Sequence, residues 1–129
     1  MADEWVEAPL PNEALVVRGG RMENYDHMVE DALLELRRVQ YAGLSVRAGV
    51  DVTVEQLVRA GKLLPNGAIR VSTVGRLRDG GFPLTKLPGP YHHNIVIREP
   101  VNAEVMAYLA GLFDEAQPNP VPSSERRKQ

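Results

Sequence analysis

The sequence contains no cysteine, which excludes a disulfide framework, a thiol nucleophile and a thiolate metal site. This suits a reducing compartment, and we expect the chain to be cytoplasmic. Only 5% of the residues are aromatic, so aliphatic side chains must fill most of the core of a chain that is 43% hydrophobic. Apolar runs fall short of the roughly 20 residues that a membrane helix needs. The first residues, MADEWVEAPLP, are acidic and broken by prolines, which is unlike a secretory signal.

The sequence also has no excess of basic over acidic residues. The 129 residues carry a net charge of −2, with a pI near 5.9, whereas a non-specific nucleic-acid binder usually shows a basic footprint. The length fits a single domain. We predict an irregular arm over residues 1–12, one α+β domain over 13–116 and a disordered tail over 117–129, because the tail is rich in proline, serine and charge.

Apolar patterning indicates a small mixed or antiparallel sheet with segregated helices. An apolar run over residues 14–18 predicts a buried strand, and Asn24 caps a predicted helix over 25–39 whose apolar positions follow a 3.6 period. Pro83 lacks a backbone donor, which favours an edge position for its strand. The other predicted elements are a strand over 43–48, a short helix after Thr53, a second short helix capped by Ser72, strands over 82–87 and 93–98, and a final helix capped by Asn102.

Common catalytic and metal-binding motifs are missing. The sequence has no Walker phosphate loop, no dinucleotide glycine fingerprint and no zinc spacing, so we predict no metal site. The adjacent residues His92 and His93 point to opposite faces of a predicted strand and cannot easily share a metal. A triad of Ser45, His92 and Glu99 is conceivable, but Ser45 does not lie in a nucleophile elbow. Metal and hydrolase functions are therefore disfavoured.

Polar residues do stand at the ends of predicted strands. Arg18 follows the apolar residues of the segment LVVRGG, and Ser45 lies within the segment GLSV. These two segments resemble the first-strand arginine motif and the serine motif of the arginine–serine–glutamate class of ADP-ribosyltransferase toxins. A closer resemblance is to the Tse-two-type bacterial toxins, which are small effectors with an ADP-ribosyltransferase-like fold that act in the cytoplasm. The order of elements is similar over roughly residues 14–115, including a Pro-x-Gly turn at 65–67 and a histidine-led strand over 92–100.

The resemblance implies a NAD site in a cleft between strands. The backbone around Arg18 and Gly19 would pair with the nicotinamide carboxamide, and the Arg18 guanidinium could reach a phosphate in a bidentate manner. The Ser45 hydroxyl would hold a ribose or the arginine strand in place. Arg18, Gly19, Ser45 and Tyr91 are the residues that we expect to bind NAD, which would serve as a substrate.

The resemblance also implies a catalytic set and a partner. Breaking the nicotinamide–ribose bond passes through an oxocarbenium-like state that a carboxylate stabilises. The expected catalytic residues are Arg18, Ser45, His92 and Glu99, with Glu104 as an alternative carboxylate, although neither glutamate lies in a recognisable motif of these toxins. The activity would be ADP-ribosyl transfer or NAD glycohydrolysis. A producing bacterium would need a cognate antitoxin or immunity protein to neutralise the chain.

A winged helix-turn-helix over residues 53–98 is the alternative fold and function. Two short predicted helices would form its DNA-binding unit, and the following hairpin, with residues 88–90 at its tip, would be the wing. Ser72 and Thr73 would contact phosphate and Arg76 would read a guanine edge. The segment is locally basic, through Arg70, Arg76, Arg78 and Lys86.

Overall fold

The computed structural model describes residues 5–60 and 63–126, which form one antiparallel sheet flanked by helices. The strands lie in the order β4-β5-β2-β1-β3-β6 across this described part of the chain. The α+β prediction is confirmed at this level. In chain order the elements are β1 Leu15–Gly19, α1 Tyr25–Val39, β2 Gly43–Gly49, α2 Val54–Arg59, β3 Ala68–Thr73, α3 Val74–Asp79, β4 Leu84–Lys86, β5 His92–Val96, α4 Ala103–Ala110, β6 Gln117–Pro118 and α5 Ser123–Arg126.

Helix α1 has the bounds that its capping residues predict. The Asn24 side chain accepts a hydrogen bond from the backbone N–H of His27 at 3.0 Å, and the helix ends at Gln40 in the left-handed region with φ 75°. The expected apolar stripe is only partly buried, because Leu33 and Leu36 are each 42% exposed. Within the described residues no helix is long and apolar enough to cross a bilayer.

Two hydrophobic clusters lie on the two sides of β1. Val16 belongs to a large cluster with residues of α1 and α4, and Val17 belongs to a smaller cluster with Leu57 and Val58 of α2. Successive strand residues point to opposite faces, so this central strand is covered on both sides. Burial on both faces explains why its sequence is a continuous apolar run and does not alternate.

Residues 68–73 form a full sheet strand, which contradicts the helix-turn-helix alternative. Strand β3 pairs with β1 along its length, with Val17 opposite Val71 and Arg18 opposite Arg70. Thr73, and not Ser72, caps the following helix. The buried Ser72 instead donates a hydrogen bond to the Leu112 carbonyl at 2.7 Å. A strand in the middle of the proposed DNA-binding unit rules out its geometry.

The basic side chains of this segment are engaged within the chain. Arg76 forms an ion pair with Asp114 at 2.8 Å, and Arg78 pairs with Glu7 at 2.7 Å. Lys86 donates to the carbonyls of Leu87 and Gly89. Arg70 donates to the backbone carbonyls of Arg21, Ala110, Phe113 and Asp114. Each of these four basic side chains therefore has hydrogen-bond or ion-pair partners within the chain.

Strand β4 lies at an edge of the sheet, as Pro83 predicts, but it is shorter than expected. The N-terminal arm extends this edge through a bridge between Glu7 and Thr85, and Ala8 donates to the Leu84 carbonyl at 2.7 Å. Between residue 5 and β1 the arm has no helix or longer strand. It covers an edge that would otherwise expose unpaired backbone groups.

The prediction of disorder from residue 117 onward is wrong over residues 117–126. Strand β6 pairs with Ala68 and Ile69 of β3. The buried Asn119 donates from its side chain to the Leu64 and Asn66 carbonyls. Val121 is fully buried in the smaller cluster. Residues 127–129 of the predicted tail, like residues 1–4 of the predicted arm, lie outside the described residues.

Candidate functional site

A cleft of about 280 Å³ opens where β1, β2 and the turn before β5 meet. The sheet register creates it: Val17 of β1 lies opposite Arg47 of β2, and Arg47 lies opposite His92 of β5. Three of the predicted catalytic residues share this cleft. Its described lining consists of Val17, Arg18, Gly19, Ser45, Val46, Arg47, Ala60, Leu64, Gly89, Pro90 and His92.

Arg18 is held rigidly at one side of the cleft. Its Nη1 donates to the Ser45 carbonyl at 2.7 Å, and its Nη2 lies 3.5 Å from the Asp31 carboxylate. The side chain is only 16% exposed. Burial lowers the pKa of Arg18, and the charge of Asp31 partly opposes this shift. A guanidinium remains protonated in proteins, so Arg18 brings a fixed positive charge to the cleft.

Ser45 and His92 form a direct side-chain hydrogen bond across β2 and β5. Ser45 Oγ lies 2.8 Å from His92 Nε2, and His92 Nδ1 lies 3.2 Å from the Pro88 carbonyl oxygen. A carbonyl oxygen only accepts, so Nδ1 carries the hydrogen and, in the neutral ring, Nε2 presents its lone pair. The serine hydroxyl is then the donor to His92.

Gly19 lets the neighbouring loop approach the end of β1. A Cβ atom at Gly19 would lie 2.1 Å from Asn66 Oδ1. A second hollow, of about 460 Å³, begins on the other side of Arg18 and Gly19 and extends along Asn24, His27 and Asp31. The two hollows therefore share the Arg18–Gly19 segment as their common wall.

The described lining of the first cleft contains two cations and no carboxylate. Arg47 reaches the C-terminal end of α2, where its Nη1 donates to the Val58 carbonyl at 2.9 Å and the Leu57 carbonyl at 3.3 Å. Burial lowers the pKa of Arg47, although it too remains charged. Arg47 is thus the second cation of the lining, which favours an anionic ligand.

Two other predicted site residues do not join the cleft, and we correct their assignment. Glu99 lies beyond the far end of β5 and is exposed in a different hollow, beside Trp5 and Pro100. Tyr91 has a positive φ of 58° and packs on Gly49, where a Cβ atom would lie 2.9 Å from its ring. The alternative carboxylate, Glu104, lies in the first turn of α4.

A carboxylate that the sequence analysis missed lies beside the site. Asn94 is the cross-strand partner of Ser45, and its Nδ2 donates to Glu35 Oε2 at 2.5 Å. Burial raises the pKa of Glu35, but hydrogen bonds from Arg38 and Asn94 and the charges of Arg38 and His92 outweigh it, so the pKa is lowered. Glu35 lies seven residues after the buried Met28, on the same helix face, which is the signal that could have revealed it.

The described residues form no cluster of side chains that is suited to bind a metal ion. The described residues contain no group of three or more histidine, aspartate or glutamate side chains placed to hold one. His93 is buried and bonds the Tyr91 carbonyl at 2.9 Å through Nδ1, and burial lowers its pKa. His92 and His93 thus have separate surroundings.

No family model matches the chain, and comparisons with curated proteins and with solved structures found no match. The geometry of the cleft is therefore the main indication of what the chain binds.

Proposed function

We propose that this chain is an ADP-ribosyltransferase-like toxin domain that binds NAD in the cleft and acts in the cytoplasm. One observation carries the proposal. Arg18, Ser45 and His92, which the sequence separates by 27 and 47 residues, lie in one cleft and are joined by hydrogen bonds. These are three of the four residues that we expect from the sequence to be catalytic, and two of them, Arg18 and Ser45, lie in the segments that resemble the toxin motifs.

The charge and size of the cleft support a nucleotide ligand. Guanidinium groups pair with phosphate oxygens in a bidentate manner, and Arg18 and Arg47 supply two of them. Small-molecule sites occupy about 300–1,000 Å³. The first hollow, of about 280 Å³, lies just below this range, and the second hollow continues past Arg18 and Gly19. A dinucleotide could lie across this shared wall, with its pyrophosphate near Arg18.

The described lining of the first hollow contains no carboxylate, and of the two in the second hollow, Glu23 and Asp31, the latter is paired with Arg18. Glu99 lies in another hollow, and the ionised Glu35 is bonded to Asn94 and Arg38. Cleavage of the nicotinamide–ribose bond gains from a carboxylate close to the developing positive charge. We therefore assign no residue to that role, and NAD glycohydrolysis or transfer is left to direct assay.

Titration calorimetry with NAD tests the binding. The wild-type chain should give a saturable heat at millimolar NAD or below, and Arg18→Gln should weaken binding about tenfold or more, as expected for a charge-assisted hydrogen bond. Arg37→Gln, which removes an exposed arginine of α1, is the matched control and should bind as the wild type does. Absence of heat from the folded wild type would refute NAD binding. Chromatography of the same mixtures reports any released nicotinamide.

Controlled expression in bacteria tests the toxin. Growth should stop when the chain is produced without a partner, and Ser45→Ala should relieve the arrest at equal protein level. A cognate antitoxin or immunity protein that covers the cleft should also relieve it. Normal growth at high expression of the wild type would refute the toxin, whatever the calorimetry shows.

A further inference from the structure

We propose that Ser45 is a nucleophile activated by His92, and that the cleft accepts small anionic acyl esters. The serine forms an ester with the acyl group, which water then hydrolyses. This activity uses the same cleft as the proposed NAD site but does not depend on NAD binding. It reverses our expectation from the sequence, where the absence of a nucleophile elbow disfavoured hydrolysis.

The geometry contains a nucleophile, a base and a group that orients the base. The 2.8 Å contact between Ser45 Oγ and His92 Nε2 is within the reach required for proton transfer. The Pro88 carbonyl occupies the place that a carboxylate takes in a serine–histidine–aspartate triad. Because it accepts from Nδ1, it fixes the tautomer in which Nε2 can take the serine proton.

A comparison with another strand serine shows that Ser45 is unusual. Ser72 on β3 is buried, and its hydroxyl donates to a backbone carbonyl, which is the ordinary structural use of a serine. Ser45 is exposed to the cleft, and its hydroxyl bonds an imidazole. A substrate can reach Ser45 and cannot reach Ser72.

The charge of the cleft selects the class of ester. Arg18 Nη1 donates a hydrogen bond to the backbone carbonyl of Ser45 at 2.7 Å. Arg47 is the second cation of the lining; the described lining has no carboxylate, although Asp31 behind Arg18 offsets part of the Arg18 charge. An acyl group that carries a carboxylate or phosphate fits this charge, and the 280 Å³ volume restricts it to a small one.

Hydrolysis of the ester by Ser45 and His92 needs water as its only other reactant. The Ser45 Oγ–carbon bond forms while the proton of the hydroxyl moves to His92 Nε2. The bond from the acyl carbon to the leaving oxygen then breaks, and His92 returns the proton to the departing alkoxide. Water repeats the sequence on the acyl-serine and releases the acid. A fluorophosphonate follows the first half only, because the Oγ–phosphorus bond forms, fluoride leaves and the proton is held by His92.

Fluorophosphonate labelling followed by intact-mass and peptide mass spectrometry tests the proposal. The wild-type chain should gain one adduct at Ser45. The His92→Ala variant should be labelled at least about 100-fold more slowly, because a general base contributes a factor of that size. Ser124→Ala, which removes an exposed serine near the C-terminus, should label as the wild type does. No adduct, an adduct on another residue, or an unchanged rate in folded His92→Ala would overturn the proposal.

A cysteine at position 45 provides a second measurement, because the natural chain has no thiol. Iodoacetamide should alkylate Ser45→Cys at least about tenfold faster than Ser124→Cys, and adding His92→Ala should remove the difference. Equal alkylation rates would contradict an activating histidine. Calorimetry with NAD on the same proteins reports the other function separately, so loss of labelling and loss of NAD binding remain distinguishable.

Discussion

Asn94 Nδ2 lies 2.5 Å from Glu35 Oε2, a carboxylate that precedes it by 59 residues in the sequence. The amide must have this orientation, since a flip would turn its oxygen toward the carboxylate. In this orientation Asn94 Oδ1 is buried with no hydrogen-bond partner among the described residues. The same network includes Tyr41, whose hydroxyl bonds Thr85 Oγ1 at 2.5 Å. It ties the C-terminal half of α1 to β5 and β4, next to the strand that carries Ser45.

This network predicts a pH dependence of stability. The pKa of Glu35 is lowered in the fold, so its ionisation stabilises the folded chain above the ordinary glutamate pKa of about 4.3. That stabilisation is lost as the pH falls through the lower folded value. We expect the free energy of unfolding, measured by urea titration, to fall more steeply below about pH 4.3 in the wild type than in Glu35→Gln.

Glu115→Gln is the matched control, because Glu115 is exposed. Its unfolding free energy should follow the wild-type pH profile. A Glu35→Gln profile parallel to the wild type would show that the Asn94 and Arg38 contacts do not favour the ionised carboxylate.

The contact between Gly19 and Asn66 predicts a coupled pair of substitutions. Gly19→Ala should destabilise the fold by about 1–3 kcal/mol, because the new methyl group would overlap the Asn66 amide. Asn66→Ala removes that amide, so in its background Gly19→Ala should cost much less. A double-mutant cycle from denaturant titrations measures the coupling. Additive effects would mean that the loop already yields to a side chain at position 19.

The parts of the site that were predicted are those with local signals. Asn24 and the acidic first half of α1 fix its start, and Arg18 and Ser45 lie in short motifs at strand ends. Pairing of β2 with β1 and β5 then brings the motifs together. Glu35 was missed because its partner lies 59 residues away, and nothing near Glu35 in the sequence marks Asn94 as that partner.

Arg70 carries a prediction that separates the fold from the discarded DNA-binding alternative. Its guanidinium donates to carbonyls at the end of α4, including Ala110 at 2.9 Å and Asp114 at 2.6 Å. Arg70→Met would leave these acceptors without their charged donor, which should cost on the order of 2–3 kcal/mol in unfolding free energy. Arg37→Met, on the exposed face of α1, should change it by less than about 0.5 kcal/mol. If Arg70 were an exposed DNA-binding arginine, Arg70→Met would change the unfolding free energy as little as Arg37→Met.

The C-terminal segment shows why composition alone misled the sequence analysis. Its prolines and polar residues are typical of disorder, yet Pro118 pairs with Ala68, and Asn119 donates to two loop carbonyls. These partners lie about fifty residues upstream, where no periodic pattern in the tail can indicate them. Proline is tolerated here because β6 is an edge strand.

Val121 gives this correction a quantitative test. It is fully buried in the smaller cluster with Leu57 and Ile69, so Val121→Ala should remove two packed methyl groups and lower the free energy of unfolding by about 1–3 kcal/mol. Val6→Ala is the matched control, because Val6 is 84% exposed, and its effect should stay within about 0.5 kcal/mol. If both substitutions were equally mild in urea titrations, Val121 would not be packed in solution, and the segment would be the flexible tail that its composition predicts. A large difference would make residues 117–126 part of the folded domain, because only a docked segment can transmit the loss of two methyl groups to global unfolding.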